Sequence, residues 1–388
     1  MARALLMTPP LALTYDTLPR LPMNRFLAAA LLAMPLALGM TAGCSSDSEP
    51  VSEKITDPEK LGAPPTGQGF QMKTQLFAVN PGEEIQNCYF FKVRDLAKAG
   101  GLPENDPVNL HRVQIVQKSG SHHMNIFRVR TIVGLDPAKG AIQEAKNGTG
   151  ECFKSPNWAD WPLVANTQIG GELDWTFPDG VANVLQPDEW LMLQTHYVNA
   201  TSQKSPEGGE VAANFHTIPK DKVTAEMGTL FATKQSIRVC KGNPTPSFTG
   251  SCQFKNANPV NIIGANGHFH ARGKQFNIYN WDGTSVGLPP ETDKFYSSKT
   301  WDEPPMLRSP ELNLTVKPNG GVMYECGFQW TPPAEEAGGC KALDDYDVLK
   351  HKDATPDCCY TFGPIVEKNE HCNAFVYYYP KQDNVFCN

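Results

Sequence analysis

Five of the nine histidines fall into three short patterns, and a sixth stands alone near the C-terminus. Imidazole is the side chain best suited to bind a metal or carry a proton near neutral pH. The first pattern is Ser121-His122-His123-Met124. Neighbouring residues of a regular strand point to opposite faces, so two adjacent rings reach one ion only where the backbone turns or bulges. Ser119-Gly120, just ahead, permits such a departure. Taken alone, a His-His pair is a weak signal, since most such pairs are surface accidents. The second pattern is Leu193-Gln194-Thr195-His196-Tyr197, in which apolar and polar residues alternate. His196 has the opposite parity to Leu191 and Leu193, which by itself describes an exposed or hydrogen-bonded histidine. The third is Gly267-His268-Phe269-His270. His-x-His on a strand places both rings on one face, about 6.5 to 7 Å apart at the backbone, from where they can converge on one ion. Copper, zinc and iron all accept imidazole. A third ligand must come from elsewhere in the chain, and His371, beside Cys372, is available. His111 sits mid-strand among apolar residues, while His216 and His351 lie in polar, turn-like sequence. Those three read as structural.

The chain has 11 cysteines, an odd number that asks one of them to do something other than pair. An apolar run from Phe26 to Met40, preceded by Arg25, is about 15 residues long, short of the roughly 20 that a membrane span needs. It suits the core of an export signal. Thr41-Ala42-Gly43-Cys44 follows at once, then a polar stretch. This is similar to a bacterial lipoprotein signal, in which small residues precede a cysteine that becomes the lipidated N-terminus. The expectation is a signal peptide over 1–43 (with Met23 as a possible start), a lipidated Cys44, and a flexible tether over 44–70. The protein would then sit in the bacterial cell envelope, held to a membrane through its lipid alone. An ordinary secretory signal with a chance cysteine is the alternative. Setting Cys44 aside leaves ten cysteines, which fits five disulfides in an oxidising compartment, with free thiols or soft metal ligands left open. Cys-x-x-Cys is absent, against a zinc ribbon or a thioredoxin-type centre.

These residues need a frame to position them. The 388-residue chain has 33 Pro and 32 Gly, is 40% hydrophobic and only 19% charged. That composition excludes a coiled coil, a helical bundle and a disordered acidic chain. The net charge of -7, with no basic stripe, argues against a nucleic-acid partner. Gly264-Ala-Asn-Gly267 lacks the Lys and Ser/Thr of a phosphate loop, and Gly-x-Ser-x-Gly is absent. Alternation with period two recurs over 108–116, 124–130, 191–198, 276–279 and 375–379, with Gly- and Pro-rich turns between. Helical periodicity is confined to short stretches at 93–98 and 138–146. The reading is an all-β protein of two antiparallel β-sandwiches, over 71–218 and 219–388, joined near 217–222.

The set of motifs resembles the copper type II, ascorbate-dependent monooxygenases, the family of peptidylglycine α-hydroxylating monooxygenase and dopamine β-monooxygenase. The residues that carry it are His122-His123-Met124, Leu193-Gln194-Thr195-His196-Tyr197, His268-Phe269-His270, Tyr324-Glu-Cys326 and the run from Cys372 to Pro380, in order over about 75–388. The resemblance implies two jelly-roll-like sandwiches with one copper each, hence two coppers per chain. His122, His123 and His196 would form an electron-supplying site in the first sandwich, and His268, His270 and the residue before Cys372 the catalytic site in the second. Gln194 matches a position between the two coppers, and Asn373 matches the Asn that follows the cysteine. It also implies disulfides Cys326–Cys372 and Cys252–Cys387; Cys88–Cys152 is a plausible bridge in the first half, although the family's partner after His196 is missing here. The pairing of Cys240, Cys340, Cys358 and Cys359 stays open.

Two departures qualify what the resemblance implies. The residue before Cys372 is His371, where the family has a Met. A thioether favours Cu(I), whereas a third imidazole favours Cu(II) and lowers the potential. Met323 is a further sulfur that could contribute, although it reads as core. Asn266 and Phe375 stand where the peptide-amidating members hold their substrate's carboxylate with Arg and Tyr, so a neutral or apolar small molecule is the expected substrate. The function implied is an exported monooxygenase, monomeric, that hydroxylates a C–H bond with O2 and an ascorbate-like donor. The alternative is a copper-binding lipoprotein for storage, delivery or electron transfer.

Overall fold

The computed structural model describes residues 57–130, 143–146, 152, 161–168, 173–199, 208–255, 257–302, 304–332, 358–363, 366 and 369–388. The export signal, Cys44, Cys340 and His351 lie outside the described residues. The chain from Glu53 to Asn388 is one compact unit. It is all-β, as the turn-rich composition and period-two runs require, with antiparallel pairing almost throughout.

Among the described residues the strands make four large sheets in two pairs and a two-stranded ribbon of Arg238–Cys240 with Cys358–Thr361. The first sheet runs Gly69–Lys73, Val211–Thr217, Val108–Gln117, Val181–Leu185 and Ala225–Glu226, with Leu173–Thr176 also pairing Val108–Gln117. The second runs Gln143–Lys146, Glu84–Lys92, Trp190–Val198, Ser121–Arg128 and Leu163–Gln168. The third is built on Gly228–Thr233, Asn373–Tyr379 and Val260–His268, with the short strands Leu307–Arg308 and Leu314–Val316 on its edge. The fourth runs Lys294–Ser298, Gly273–Trp281, Gly321–Phe328, Ser247–Phe254 and Val385–Cys387. The period-two runs of the sequence all fall on strands, and the helical stretch at 93–98 is the helix Val93–Ala99.

Three expectations are corrected. The stretch 138–146 read as helical, but Gln143–Lys146 is a strand, because it extends the second sheet along Glu84–Lys92. The tether does not reach residue 70. Pro58 and Leu61 are buried, the Leu61 carbonyl accepts from Gln71 Nε2 (2.9 Å), and Gly69 and Phe70 already pair with His216 and Phe215. A polar composition concealed a segment whose backbone groups find partners in the first sheet. The chain leaves the first pair of sheets near Met227 rather than at 217–222, since Ala225 and Glu226 pair in parallel with Val181 and Ala182. The halves also share a core: Ile263, Phe375 and Tyr377 from the second half pack into the first apolar cluster.

The second and third sheets are covered on both faces. Ser121–Arg128, Trp190–Val198 and Asn373–Tyr379 are buried at every position but their ends. Polar residues on these strands therefore pair with one another inside the protein. Asn125 Nδ2 donates to Gln194 Oε1 (3.1 Å), and Gln194 Nε2 donates to Gln86 Oε1 (3.4 Å). Across to the third sheet, Asn166 Nδ2 donates to Asn266 Oδ1 (3.3 Å), and the Tyr377 hydroxyl donates to Asn166 Oδ1. The site lies at one end of this polar strip.

Candidate metal centre

The first three histidines are assembled by a bulge. Ser121 is opposite Tyr197 but His123 is already opposite His196, so His122 is an inserted residue with no partner of its own in that ladder. Gly120, at φ +87°, turns the chain into it, a conformation that an L side chain resists. The insertion removes the strict alternation of faces. The Nδ1 atoms of His122 and His123 come within 2.9 Å, and both rings are buried. His196, across the ladder, lies 4.7 Å from His123 and 5.0 Å from His122, ring centre to ring centre. Its parity suggested an exposed ring, yet it is fully buried, because the face opposite the first core is covered by the third sheet. His196 Nε2 meets Glu84 Oε1 at 2.8 Å, which leaves Nδ1 as the atom facing away from the carboxylate.

The other three come from the second half. The strand Val260–His268 ends on His268, and His270 belongs to the segment that follows rather than to the strand. The two rings still stand 5.1 Å apart, at right angles. His270 Nδ1 lies 3.0 Å from the Asn369 carbonyl, which fixes Nδ1 as the protonated atom and Nε2 as the lone pair. His371 completes the group, 4.1 Å from His270 and 5.3 Å from His268. Its position is set by its neighbours. Glu370, fully buried, accepts from the backbone N–H of His270 (3.2 Å) and of Arg272 (3.0 Å). Burial pushes its carboxyl up to about 8, against those two N–H groups and the Arg272 guanidinium at 3.7 Å. Arg272 in turn lies over the Tyr360 ring at 3.9 Å. On the other side of His371, Cys372 is bonded to Cys326 of the fourth sheet.

The structure thus brings all six predicted rings together, but not as two separate sites. His268 lies 5.1 Å from His123 and 5.5 Å from His122, and His270 is 6.0 Å from His122. Those spacings across the halves match the spacings within each half. Among the described residues two groups have ligand atoms all within 4.8 Å of one another: His122, His123 and His268, and His268, His270 and His371. His268 belongs to both. His122, His123, His268, His270 and His371 all titrate well below the ordinary range, first because they are buried and then because neighbouring rings would repel a second charge. They are therefore neutral at pH 7, the form that binds a metal. His122 Nε2 and His270 Nε2 are buried with no hydrogen-bond partner. A lone pair held in a dry cluster without a donor fits a metal ligand and costs stability otherwise.

The other predicted positions are placed as follows. Gln194 lies on the same face as His196, two residues along the strand, and is engaged by Asn125 and Gln86 rather than by a ring. Asn373 pairs in register with His268, and its Oδ1 is buried without a partner. Phe375 stacks on Phe231 (4.9 Å, nearly parallel), and Asn266 is taken up by Asn166. Met323 is half-buried on the fourth sheet, opposite Ser251 and Tyr279. His111 and His216 are structural, bonded to the Val181 carbonyl and to Gln114. The disulfides Cys252–Cys387 and Cys326–Cys372 are present as the resemblance implied, Cys88–Cys152 is present as the expected first-half bridge, and Cys240 is also disulfide-bonded. Four residues escaped the sequence reading: Glu84, Glu370, and two half-buried aromatics, Trp301 at 6.0 Å from His122 and Phe362 at 4.9 Å from His371. Of these, only Glu370 carried a local signal, its adjacency to His371.

No family model matches the chain, and no curated protein matches it. Two solved structures are similar to it at 10% identity. One is the cowpea mosaic virus top component, the naturally occurring empty particle, covering 89% of this chain and 96% of that chain with a TM-score of 0.29. The other is the PBSX exported protein XepA, covering 68% of this chain and 87% of that chain with a TM-score of 0.19.

Proposed function

We propose that this protein is an exported, copper-dependent monooxygenase that hydroxylates a C–H bond of a small, uncharged substrate. The observation that carries the reading is the cluster of six imidazoles, with His122 Nε2 and His270 Nε2 buried and unpartnered. All-nitrogen ligation suits copper, zinc and iron alike, and the resemblance of the motifs to the copper type II monooxygenases selects copper. When bound, copper would supply the one-electron steps by which O2 is reduced. The overall reaction balances as R–H plus O2, two electrons and two protons giving R–OH and water, with an ascorbate-like molecule as the two-electron donor.

The chain's own residues would hold and shelter the metal. His122, His123, His268, His270 and His371, whose ligand atoms form the two close groups, would be ligands, and His196, 4.7 Å from His123 and 5.0 Å from His122, would join the first group. Glu84 sets the orientation of His196, and the Asn369 carbonyl sets that of His270. Glu370 and the Cys326–Cys372 bridge fix the segment that delivers His371. Trp301 and Phe362 cover the cluster's flanks and limit water access. At the positions of the carboxylate-binding pair of the amidating members stand Phe375 and Asn266, neither cationic, engaged with Phe231 and Asn166. A neutral or apolar substrate follows. Export is supported by the disulfides, which persist in oxidising compartments, and lipid attachment at Cys44 rests on the similarity of residues 25–44 to a lipoprotein signal.

The test is copper content followed by oxygen uptake. Two coppers per chain and reductant-dependent O2 consumption, stimulated by small neutral substrates, are expected. Copper loading with no O2 consumption under any reductant would defeat the enzymatic reading. A second reading, a copper carrier without turnover, is favoured by His371, whose imidazole stands where a thioether would stabilise Cu(I). His371→Met separates the two: loss of turnover supports a working three-histidine site, and gain of turnover supports the carrier.

A further inference from the structure

We infer that the two histidine groups hold their metals as one coupled dinuclear centre, with His268 as the ring common to both, bridging as an imidazolate whose N–H proton is released to solvent when its second nitrogen takes a metal, rather than as two independent sites. This rests on the copper reading above and goes beyond it. Three observations carry it. The ligand atoms of His268 lie within 4.8 Å of those of His122 and His123 and also of those of His270 and His371. Ring spacings between the groups (5.1, 5.5 and 6.0 Å) continue the spacings within them (4.1 to 5.3 Å), so no solvent layer separates one group from the other. Five of the six rings are buried and His371 is partly so, which leaves no aqueous dielectric between the positions.

The frame around the rings makes this a fixed arrangement. His122 and His123 are set by a bulge locked to Trp190–Val198, and His268 by register with Asn373 at the end of a paired strand. The two sheets that carry them are joined by Asn166 bonding Asn266 and Tyr377, and by Thr229 Oγ1 donating to the Leu163 carbonyl. Separating the groups would break these bonds and uncover their polar atoms. His196, with Nε2 committed to Glu84, stands beside His122 and His123. Two metals so close repel, and the repulsion grows with each charge. The buried carboxylate Glu84, beside the first group, lies where it offsets that repulsion. Both reducing equivalents would then reside at one place, without transfer across a cleft.

The experiment is electron paramagnetic resonance of the full chain loaded with Cu(II), its copper counted by atomic absorption. The coupled centre predicts two coppers per chain, a double-integrated signal well below two spins, and a half-field transition. Two coppers with two full spins and no half-field signal would overturn the inference while leaving the enzymatic reading intact. One copper per chain would also overturn it, because the groups would then be competing for His268. No bound copper would defeat the copper reading itself. His268→Asn adds an independent check by chelator competition, with His111→Asn as a control outside the cluster and circular dichroism to monitor folding. A shared ring predicts at least about tenfold weaker binding of both coppers in the His268 variant. Independent sites predict that one copper keeps its affinity, and that result would overturn the inference.

Discussion

Glu84 shows how one side chain far away in sequence decides what a ligand can do. It sits on Glu84–Lys92, two residues from Gln86, which is the residue opposite His196. The 2.8 Å contact to Nε2 turns the Nδ1 edge of His196 toward its neighbours. Removing that carboxylate should lower copper affinity at the first group about 10- to 100-fold, the usual effect of losing a residue that orients a metal-bound histidine. Glu84→Ala measured by chelator competition should show the full loss, and Glu84→Gln, which keeps an acceptor oxygen, should recover part of it. Unchanged affinity in Glu84→Ala would mean that His196 is not a ligand. At this scale the sequence was legible where the chemistry is local. His268-x-His270 is marked by its spacing, whereas His122-His123 gains meaning only beside the other patterns. His196 misled because parity describes a sheet with one wet face, and this sheet has none. Glu84 was illegible because its partner is chosen by cross-strand register between residues 112 positions apart.

The elements position the site through two small backbone devices. One is the bulge at His122, announced in the sequence only by the permissive Gly120 before it. The other is Gly267, immediately before His268. A Cβ there would come within 2.3 Å of the Phe276 ring on the neighbouring sheet, so only glycine lets Val260–His268 approach Gly273–Trp281 this closely. Gly267→Ala should therefore force Phe276 aside and destabilise the fold by about 1 to 3 kcal/mol, the cost of overpacking a filled core. Urea unfolding gives the stability, and copper counting should show impaired loading through His268. A stability equal to that of the parent chain would mean that Phe276 has room to rotate away. The Cys326–Cys372 bridge closes a loop of 46 residues, for which chain entropy gives about 4 kcal/mol. A Cys326→Ser, Cys372→Ser chain should lose a comparable amount, with His371 the ligand most affected. Alternation located the strands that carry ligands because each is long and bounded by turns. It failed for Gln143–Lys146 and for residues 57–70, where pairing along a sheet edge, rather than local pattern, determines the structure.

Across the whole molecule, the cluster makes stability depend on pH and metal together. His122, His123, His268, His270 and His371 titrate well below 6.5 in the folded protein and near 6.5 when unfolded. Below about pH 6.5 the unfolded chain takes up protons that the folded chain refuses, so stability falls as pH falls through that value. Glu370 acts in the opposite sense. Its folded carboxyl titrates near 8, so it holds a proton the unfolded chain has released, and its contribution declines as pH rises from about 4.5 towards 8. One carboxyl stands against five imidazoles, and the imidazoles set the net direction. The metal-free protein, kept in chelator, should melt at progressively lower temperature between about pH 7.5 and about pH 5.5. Copper binds only the folded cluster and should raise the melting temperature at the upper end of that range, by about 2.7 kcal/mol of stability for each site when free metal is about a hundredfold above its dissociation constant. That gain should shrink on acidification, because protons compete for the same nitrogens. Calorimetry at several pH values, with and without copper, measures both effects. A melting temperature that is flat or rising as the metal-free protein is acidified would mean that the rings are already protonated or open to water, and the dry six-histidine centre would then be wrong as a description of the molecule in solution.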